Sequence, residues 1–316
     1  MAVYTQVSAE ALAAFLTRYD AGALVSAKGI AEGVENSNYL VDTTSARFIL
    51  TLYEKRVAAE DLPFFMALLA HLDARGLPVP PAIKDRTGTE IQELAGRPAC
   101  LIKFLTGVSL SDPTPAQARS AARAMAAMHE ALADFAPTRD NSMGVATWRP
   151  LLERCGRAAM DTIRPGLFDR VDAALAQVEA AWPADLPVSA IHADLFPDNV
   201  LMLGDAVTGL IDFYFACTDL RAYDLAIMHT AWMFDARGLN PRTAVGAALL
   251  EGYGDGLTAA ERAALPVLAK GACIRFLLSR AWDWIHTPAD ALVVRKDPLA
   301  YLNRLDWYEA NPDAFA

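Results

Sequence analysis

The division of the chain into a β-rich first part and a helical second part constrains its fold most strongly. The first hundred residues contain short segments rich in β-branched and aromatic side chains, whereas the remainder is dominated by helical spacing of apolar residues. In the first part, strands are predicted at 34–41, 47–53, 89–94 and 98–104. One helix is predicted after Ser8 as its N-cap, and a second over residues 59–75, stopped by Gly76. Residues 1–104 are therefore expected to form a small, mostly antiparallel sheet with about two helices.

The second part of the chain reads as a helical lobe over residues 105–316. Thr114 and Gln117 match a capping box with Pro115 at the first helical position, so a helix is expected from there to about residue 133. Further helices are predicted near 149–161, 166–181, 220–236, 241–253, 258–286 and 298–309. A single β island interrupts them, with strands at 188–191, 200–203 and 207–211. Strands first and helices later indicate an α+β fold class.

Composition excludes several classes of function. The 316 residues carry 28 Lys and Arg against 38 Asp and Glu, a formal net charge of −10, which disfavours nucleic acid and anionic membrane surfaces as partners. The four cysteines contain no Cys-x-x-Cys pair, so a zinc ribbon is excluded and a reducing compartment is expected. No secretory signal or long apolar segment is recognised, so the expected location is cytoplasmic. The sequence leaves a homo-oligomer open.

The β island carries the residues with the most specific chemistry. Asp194 and Asn199 lie five residues apart in the loop between two apolar strands, and Asp212 follows the next strand. Phosphoryl transfer from ATP needs a carboxylate that orients the attacking hydroxyl, together with oxygen ligands for Mg²⁺. An Asp-x₄-Asn spacing alone is weak, because both residues are common in turns. The flanking apolar strands, and His192 two residues before the acid, make the catalytic interpretation the stronger one.

The same segment resembles the catalytic loop of the aminoglycoside phosphotransferase and choline kinase group, whose usual pattern is His-Gly-Asp-x₄-Asn. Here Ala193 stands in place of the glycine, and 223–226 (Tyr-Asp-Leu-Ala) resembles the structural Asp-Leu-Ala of the group. The resemblance implies a two-lobed protein-kinase-like fold and ATP with Mg²⁺ as cofactors. It also implies that Asp194 is the catalytic base and that Asn199 and Asp212 are metal ligands. No long activation segment separates Asp212 from Asp224, unlike in protein kinases, so a small-molecule substrate is expected rather than a protein.

A narrower resemblance is to the bacterial homoserine kinases of this fold, carried by the stretches 29–39, 48–56 and 210–217. It implies transfer of the γ-phosphoryl group of ATP to the hydroxyl of L-homoserine, a step of threonine biosynthesis. Two alternatives stay open at this point. One is a related kinase for choline, ethanolamine, an aminoglycoside or a sugar; the other is a catalytically silent ATP-binding scaffold.

Candidate nucleotide contacts lie in the first part of the chain. Glycines before the first strand allow backbone amides to approach phosphate. The candidate phosphate contacts are Gly33, Asn36, Ser37 and Asn38. The same polar side chains could instead satisfy turn backbone. Residues 99–105, which include the candidate Lys103, occupy the place of the family's hinge, where backbone groups reach adenine; the alternative is a buried edge strand.

The third strand departs from the pattern of kinases with this fold, which usually carry Lys or Arg there. Thr51 occupies that position and has no charge for the phosphates. Lys28, Lys55 or Arg56 could supply the charge, and Glu60 is the obvious acid for an ion pair, although all of these could also be solvated surface charges.

The carboxylate of the expected acceptor, L-homoserine, is best recognised by arginine, which can bind a carboxylate through two parallel hydrogen bonds. Arg275 and Arg280 lie in an apolar helical segment and are the candidates, with a salt bridge inside the lobe as the alternative role. Trp282, Asp283 and Trp284 could instead form a cage for a cationic amine. His192 is placed at the substrate site, where it orders the catalytic loop rather than acting as the base; His129 is expected to be a hydrogen-bonded packing residue.

Overall fold

The computed structural model describes residues 4–30, 36–54, 57–287 and 295–315. The chain divides into two compact units. The first comprises residues 1–107, 135–137 and 208–214, and the second comprises residues 108–134, 138–207 and 215–316.

A five-stranded antiparallel sheet of order β1-β2-β3-β5-β4 forms the first unit. Its elements in chain order are α1 (Ala9–Leu16), β1 (Leu24–Gly29), β2 (Ser37–Thr43), β3 (Arg47–Leu52), α2 (Leu62–Ala74), β4 (Gln92–Leu94) and β5 (Arg97–Lys103). The predicted hairpin of β2 and β3 is confirmed, with Tyr39 opposite Leu50 and Val41 opposite Phe48. The strand β1 was not predicted, because nearly all of its side chains are exposed and no apolar alternation marks it.

The two faces of the central strands differ in burial. Tyr39, Val41, Leu50 and Leu52 pack into one apolar core with the helix α1. On the other face, Asn38, Leu40 and Ile49 are half-buried, and Thr51 is buried. The alternation follows from the two-residue period of a strand.

The predicted N-cap of the first helix and the predicted stop of the second are confirmed, whereas residues 59–61 form a 3₁₀ turn before α2. The Ser8 hydroxyl accepts a hydrogen bond from the N–H of Ala11 at the start of α1. The helix α2 is followed by Gly76 at φ +80°, a left-handed conformation that glycine adopts without steric cost.

The second unit is mostly helical. Its elements are β6 (Val108–Ser109), α3 (Pro115–Ala131), α4 (Val145–Cys155), α5 (Arg157–Ile163), α6 (Leu167–Ala181), β7 (Val188–Ile191), β8 (Val200–Leu203), β9 (Ala206–Leu210, of which residues 208–210 are counted with the first unit), β10 (Cys217–Leu220), α7 (Arg221–Trp232), α8 (Thr243–Tyr253), α9 (Ala259–His286) and α10 (Leu299–Ala310). The helix predicted at 149–161 is two helices, because Gly156 adopts φ +76° between α4 and α5. The capping box at Thr114 and Gln117 is confirmed, with both of its hydrogen bonds present.

Two small strand pairings frame the loop at 192–199. The strand β7 pairs antiparallel with β10, with Ile191 opposite Cys217, and β6 pairs antiparallel with β8, with Val108 opposite Met202. Neither β6 nor β10 was predicted, since β6 has only two residues and the four residues of β10 run directly into α7. The loop therefore starts at the end of one paired strand and ends at the beginning of another.

The helices α7 and α9 supply much of the core of this unit. Every residue of α7 except Arg221 is buried. The 28-residue helix α9 starts at a second capping box, formed by Thr258 and Glu261. Close approach of α3 and α8 depends on Gly252, where any side chain would meet the carbonyl of Arg119. Within the described parts of the chain, none of the helices combines the length and the apolar character that crossing a bilayer requires.

Candidate active site

The loop between β7 and β8 brings Asp194 and Asn199 together. The Asn199 Nδ2 atom donates to the carbonyl oxygen of Asp194 at 2.8 Å and lies 3.4 Å from its Oδ2. A short 3₁₀ turn over Pro197–Asn199 folds the amide back toward the acid. Asp194 is half-buried and Asn199 is buried. Because the amide nitrogen faces Asp194, the amide oxygen is the atom directed elsewhere.

A buried carboxylate from α7 holds the backbone of this loop. Asp224 accepts hydrogen bonds from the N–H groups of His192 and Ala193, both at 2.8 Å, and lies 3.0 Å from Nε2 of His129. His129 in turn meets the hydroxyl of Tyr253 at 2.8 Å. Burial acts to raise the pKa of Asp224, but the hydrogen bonds from His129 and the loop more than offset it, so the pKa lies below its ordinary value. His129 has the packing role predicted for it.

Two further side chains hold the carbonyl groups of the loop. Arg275 donates to the carbonyl oxygen of Ala193 at 2.6 Å, and the indole N–H of Trp232 donates to the carbonyl of Leu195 at 2.9 Å. Arg275 is 2 % exposed and its guanidinium lies 4.6 Å from the ring of Phe276. Arg275 therefore contacts the loop backbone. Neither role considered from the sequence, substrate carboxylate or salt bridge, describes that contact.

Ala193 adopts a left-handed backbone conformation, φ +61°, and its methyl group is fully buried. This conformation costs about 1–2 kcal/mol for a residue with a Cβ, which explains why a glycine suits the position in the pattern of the resembling family. His192, which precedes it, is fully buried and its Nδ1 lies 3.3 Å from the N–H of Asp194. Its position supports the prediction that it orders the loop.

Asp212 follows β9 and is counted with the first unit, whereas Asp194 and Asn199 belong to the second. Asp212 is exposed, and its backbone adopts a left-handed conformation, φ +66°. Two residues later, the ring of Tyr214 lies against Tyr53 at 5.5 Å and Phe65 at 5.8 Å. Burial raises the pKa of Tyr214, so the phenol stays neutral and serves as a packing anchor for the turn that carries Asp212.

The polar residues at the start of β2 are used mainly within the first unit. The Ser37 hydroxyl accepts from the N–H groups of Tyr4 and Thr5 and donates its only hydrogen to Glu54 at 2.8 Å. Ser37 is also fully buried, so the structure does not support the predicted contact with phosphate. Asn36 is buried and accepts from the N–H of Glu54. Gly33 lies outside the described residues.

Thr51, at the third-strand position, is 2 % exposed and donates to Oδ1 of Asn38 at 2.7 Å. Because the amide oxygen of Asn38 faces Thr51, its amide nitrogen points away from Thr51. Asn38 is half-buried and lies opposite Thr51 on the same face of the sheet. Lys28 is exposed on β1 opposite Leu40, whereas Lys55 and Arg56 lie outside the described residues. Glu60 is exposed in a short 3₁₀ turn before α2.

Lys103 lies at the end of β5, and its ammonium group pairs with Asp73 of α2 at 3.0 Å. The side chain is half-exposed, so this ion pair is weak. The preceding residues 99–101 are fully buried within the sheet. The role of this segment as a hinge stays a prediction.

A group of residues on α9 and α10 was missed by sequence reasoning, although Arg280 in it was a candidate. Arg280 lies 4.5 Å and Arg304 lies 4.2 Å from the ring centroid of the fully buried Tyr301. Burial lowers the pKa of Arg280, and the negative charge of Asp194 acts in the opposite direction. Sequence could not identify this grouping, because Arg280 lies on a different helix from Tyr301 and Arg304.

The aromatic residues considered as a cage for a cationic amine are already covered by arginines. The Arg154 guanidinium lies 4.3 Å from the ring of Trp282, and the Arg295 guanidinium lies 4.7 Å from the ring of Trp284. At each of these two rings, a guanidinium of the chain itself therefore already makes the cation–π contact that a cationic amine would need.

Known proteins resemble this chain over nearly its whole length. The sequence profile of the phosphotransferase enzyme family matches residues 26–265. Homoserine kinase of Zymomonas mobilis is 53 % identical over 311 residues, 98 % of this chain and 97 % of that protein. Homoserine kinase of Methylorubrum populi is 53 % identical over 316 residues, which cover 99 % of this chain and 98 % of that protein.

Solved structures are similar in fold at lower identity. The microcompartment-associated aminopropanol kinase has a TM-score of 0.70 at 21 % identity and covers 98 % of both chains. The amicoumacin kinase hAmiN has a TM-score of 0.72 at 13 % identity, covering 96 % of this chain and 94 % of its own. At these identities the similarity shows the fold alone.

Proposed function

The chain belongs to the phosphotransferase enzyme family, and we propose that it is an ATP-dependent kinase that phosphorylates the side-chain hydroxyl of L-homoserine. The product is O-phospho-L-homoserine, an intermediate of threonine biosynthesis. The fold is the α+β protein-kinase-like fold expected from the sequence, with an antiparallel sheet in the N-terminal lobe and a mostly helical C-terminal lobe. Similarity to homoserine kinases at 51–53 % identity over nearly the full chain supports the acceptor.

The observation that carries the chemistry is the way the loop holds Asp194. Its backbone is fixed by the amide of Asn199 and by neighbouring contacts from Asp224 and Arg275, so the carboxylate is presented in one orientation. We assign to Asp194 the orientation of the acceptor hydroxyl and acceptance of its proton. Rate enhancement in such a site comes mainly from positioning and charge stabilisation.

Asn199 and Asp212 suit a hard divalent cation. The amide oxygen of Asn199 is directed away from Asp194, and Asp212 is an exposed carboxylate, so both offer the oxygen atoms that Mg²⁺ prefers. Among the described residues there is no cluster of three His, Cys, Asp or Glu side chains that could hold a metal. A cation that arrives with ATP needs only one or two protein ligands. When bound, it neutralises charge on the β- and γ-phosphates.

Residues 1–104 form the proposed nucleotide-binding lobe, and residues 105–316 the proposed catalytic and substrate lobe. Asn38 is the better supported phosphate contact of the first lobe, because Thr51 holds its amide oxygen and leaves the nitrogen to donate. Gly33, Asn36 and Lys103 stay candidates. Ser37 is reassigned to support of the N-terminal segment, because its hydrogen is given to Glu54.

A cationic acceptor such as choline or ethanolamine is the alternative that the substrate side argues against. The rings of Trp282 and Trp284 are covered by arginines, and Arg280 places positive charge near Asp194. A catalytically silent scaffold would not need the fully supported Asp194 loop. We further propose a cytoplasmic enzyme without nucleic-acid or membrane partners, in keeping with four free, buried cysteines and the net charge of −10.

A coupled assay of ADP release over a panel of small alcohols tests the proposal. Wild-type protein is expected to turn over L-homoserine far faster than choline, ethanolamine or aminoglycosides. Asp194→Ala is expected to lower kcat by about 10²–10⁴-fold while nucleotide binding persists, since a positioned base contributes a factor of this size. Asp212→Ala is expected to weaken Mg²⁺-dependent ATP binding as well.

Asp198→Ala is the matched control, because Asp198 is an exposed carboxylate on the same loop. It is expected to leave kcat unchanged. If Asp194→Ala kept the kcat of the wild type, the assignment of Asp194 as the base would be refuted. If the wild type did not phosphorylate L-homoserine, the assignment of the acceptor would be refuted.

A further inference from the structure

Two arginines share one buried ring in the second unit. The guanidinium carbons of Arg280 on α9 and Arg304 on α10 lie 4.5 and 4.2 Å from the centroid of Tyr301. Cation–π contacts stabilise each arginine individually. Two positive charges beside one ring nevertheless repel each other, so the pair raises the positive potential in its surroundings.

Neither arginine forms a salt bridge within the part of the chain that the structure describes. Arg280 donates to the carbonyl oxygen of Asp297 at 3.3 Å, and Arg304 donates to the carbonyl oxygen of Asp235 at 3.0 Å. Arg304 is 4 % exposed, and its Nε and Nη1 atoms are buried without a hydrogen-bond partner. Buried cations are normally paired, so this arrangement favours binding of an anion.

A continuous aromatic wall links these arginines to the catalytic loop. Tyr301 stacks on Phe276 at 5.0 Å, and Phe276 meets Phe196 edge-on at 5.0 Å. Phe196 lies two residues after Asp194, and the ammonium group of Lys296 lies 5.9 Å from its ring. These packed rings therefore connect the half-buried Arg280 to the loop of Asp194, so an acceptor with its hydroxyl at Asp194 would meet positive charge on the same side of the loop.

We infer that the Arg280 guanidinium binds the α-carboxylate of the acceptor, held in place by the ring of Tyr301 and supported by the charge of Arg304. Arg280 is the ligand because it is partly exposed, whereas Arg304 is buried and acts as a positioning residue. The inference rests on the proposed function and deepens it. It describes the acceptor class as short hydroxylated amino acids and distinguishes them from amino alcohols that lack a carboxylate.

The test compares acceptors that differ only by the carboxylate. L-homoserine is paired with 3-amino-1-propanol, and L-serine is paired with ethanolamine. Arg280→Gln is expected to lower kcat/KM for L-homoserine about 100-fold, mainly through KM, since truncating one partner of a desolvated charge pair has an effect of this order. For 3-amino-1-propanol the same variant should stay within about threefold of the wild type, because no carboxylate is lost.

Four further variants separate ligand, positioning and background effects. Arg280→Lys keeps the positive charge but cannot form two parallel hydrogen bonds with a carboxylate. It is expected to lower kcat/KM about tenfold for L-homoserine and not for 3-amino-1-propanol. Tyr301→Phe keeps the ring and should behave as wild type, whereas Tyr301→Leu should raise KM for L-homoserine and leave 3-amino-1-propanol unchanged. Arg295→Gln removes another ring-stacked arginine, over Trp284, and should change neither acceptor.

An equal loss on both acceptors would overturn the inference, because Arg280 would then act on Asp194 and not on the carboxylate. An unchanged KM for L-homoserine in Arg280→Gln would overturn it too. Failure of the wild type to phosphorylate L-homoserine is a separate outcome that refutes the proposed function. In that case the L-serine and ethanolamine pair decides on the carboxylate subsite. The subsite is supported if the wild type prefers L-serine and Arg280→Gln removes this preference, and it is rejected otherwise.

Discussion

Replacing Asp224 by asparagine tests how the catalytic loop is held. The Asp224 carboxylate accepts three hydrogen bonds, from the N–H groups of His192 and Ala193 and from the side chain of His129. Asparagine has the same shape but only one acceptor oxygen, and its NH₂ group donates. With that oxygen facing His192 and His129, the NH₂ group faces the N–H of Ala193, so two donors are opposed in a fully buried site.

The expected loss of stability follows from these contacts. An orphaned buried donor costs about 1–3 kcal/mol, and converting two charge-assisted hydrogen bonds into neutral ones costs about 1 kcal/mol each. The free energy of unfolding should therefore fall by about 3–5 kcal/mol. This is a large share of the about 5–15 kcal/mol typical of a folded protein, but it leaves a folded population. Release of the Ala193 N–H should also lower kcat, by about 10²-fold if Asp194 shifts by about 1 Å.

Urea unfolding and steady-state kinetics measure the two effects on the same preparation. Glu251→Gln is the matched control, because this exposed carboxylate pairs with Arg119 on the surface and its loss should cost less than about 1 kcal/mol. If Asp224→Asn unfolded within about 1 kcal/mol of the wild type and kept its kcat, the loop would not depend on this carboxylate and the reasoning would be refuted.

Two other perturbations have defined outcomes. Ala193→Gly should change the free energy of unfolding by less than about 1 kcal/mol, because relief of the left-handed conformation (about 1–2 kcal/mol) is offset by a more flexible unfolded chain and the loss of one buried methyl group. A change above about 2 kcal/mol in urea unfolding would contradict this. His229 is buried, and burial lowers its pKa to about 3 from an ordinary 6.5, so stability from this group is complete above pH 6.5 and is lost as the pH falls toward 3. The slope is at most about 1.4 kcal/mol per pH unit; His229→Gln should flatten the fall in thermal midpoint between pH 6.5 and 4, and an unchanged slope would count against it.

Local signals in the sequence predicted the elements that local interactions determine. The capping residues Ser8 and Thr114 mark helix starts confirmed to the residue, and the hairpin of β2 and β3 follows from alternation and β-branched side chains. Elements without such signals were missed. The strand β1 is stabilised by pairing with β2 rather than by burial, and β10 exists because four residues before α7 pair with β7.

The candidate site shows the same division. The motif predicted that Asp194 and Asn199 share one loop, because five residues cannot separate them far and a 3₁₀ turn folds one toward the other. Partners from distant parts of the chain could not be read from the sequence. Ser37 meets Tyr4, Thr5 and Glu54, which nothing in its neighbours indicates.

The two arginines of α9 show why residue type alone did not separate loop support from substrate binding. Both lie in the same apolar segment, and both were candidates for a carboxylate. Five residues correspond to about 500° around a helix, so their side chains differ in direction by about 140°. Arg275 consequently meets the backbone of Ala193 and is sealed from solvent, whereas Arg280 reaches Tyr301 and stays partly exposed. Helix phase, rather than composition, thus assigns Arg275 to the backbone of the catalytic loop and leaves Arg280 partly exposed, as its proposed contact with the acceptor requires.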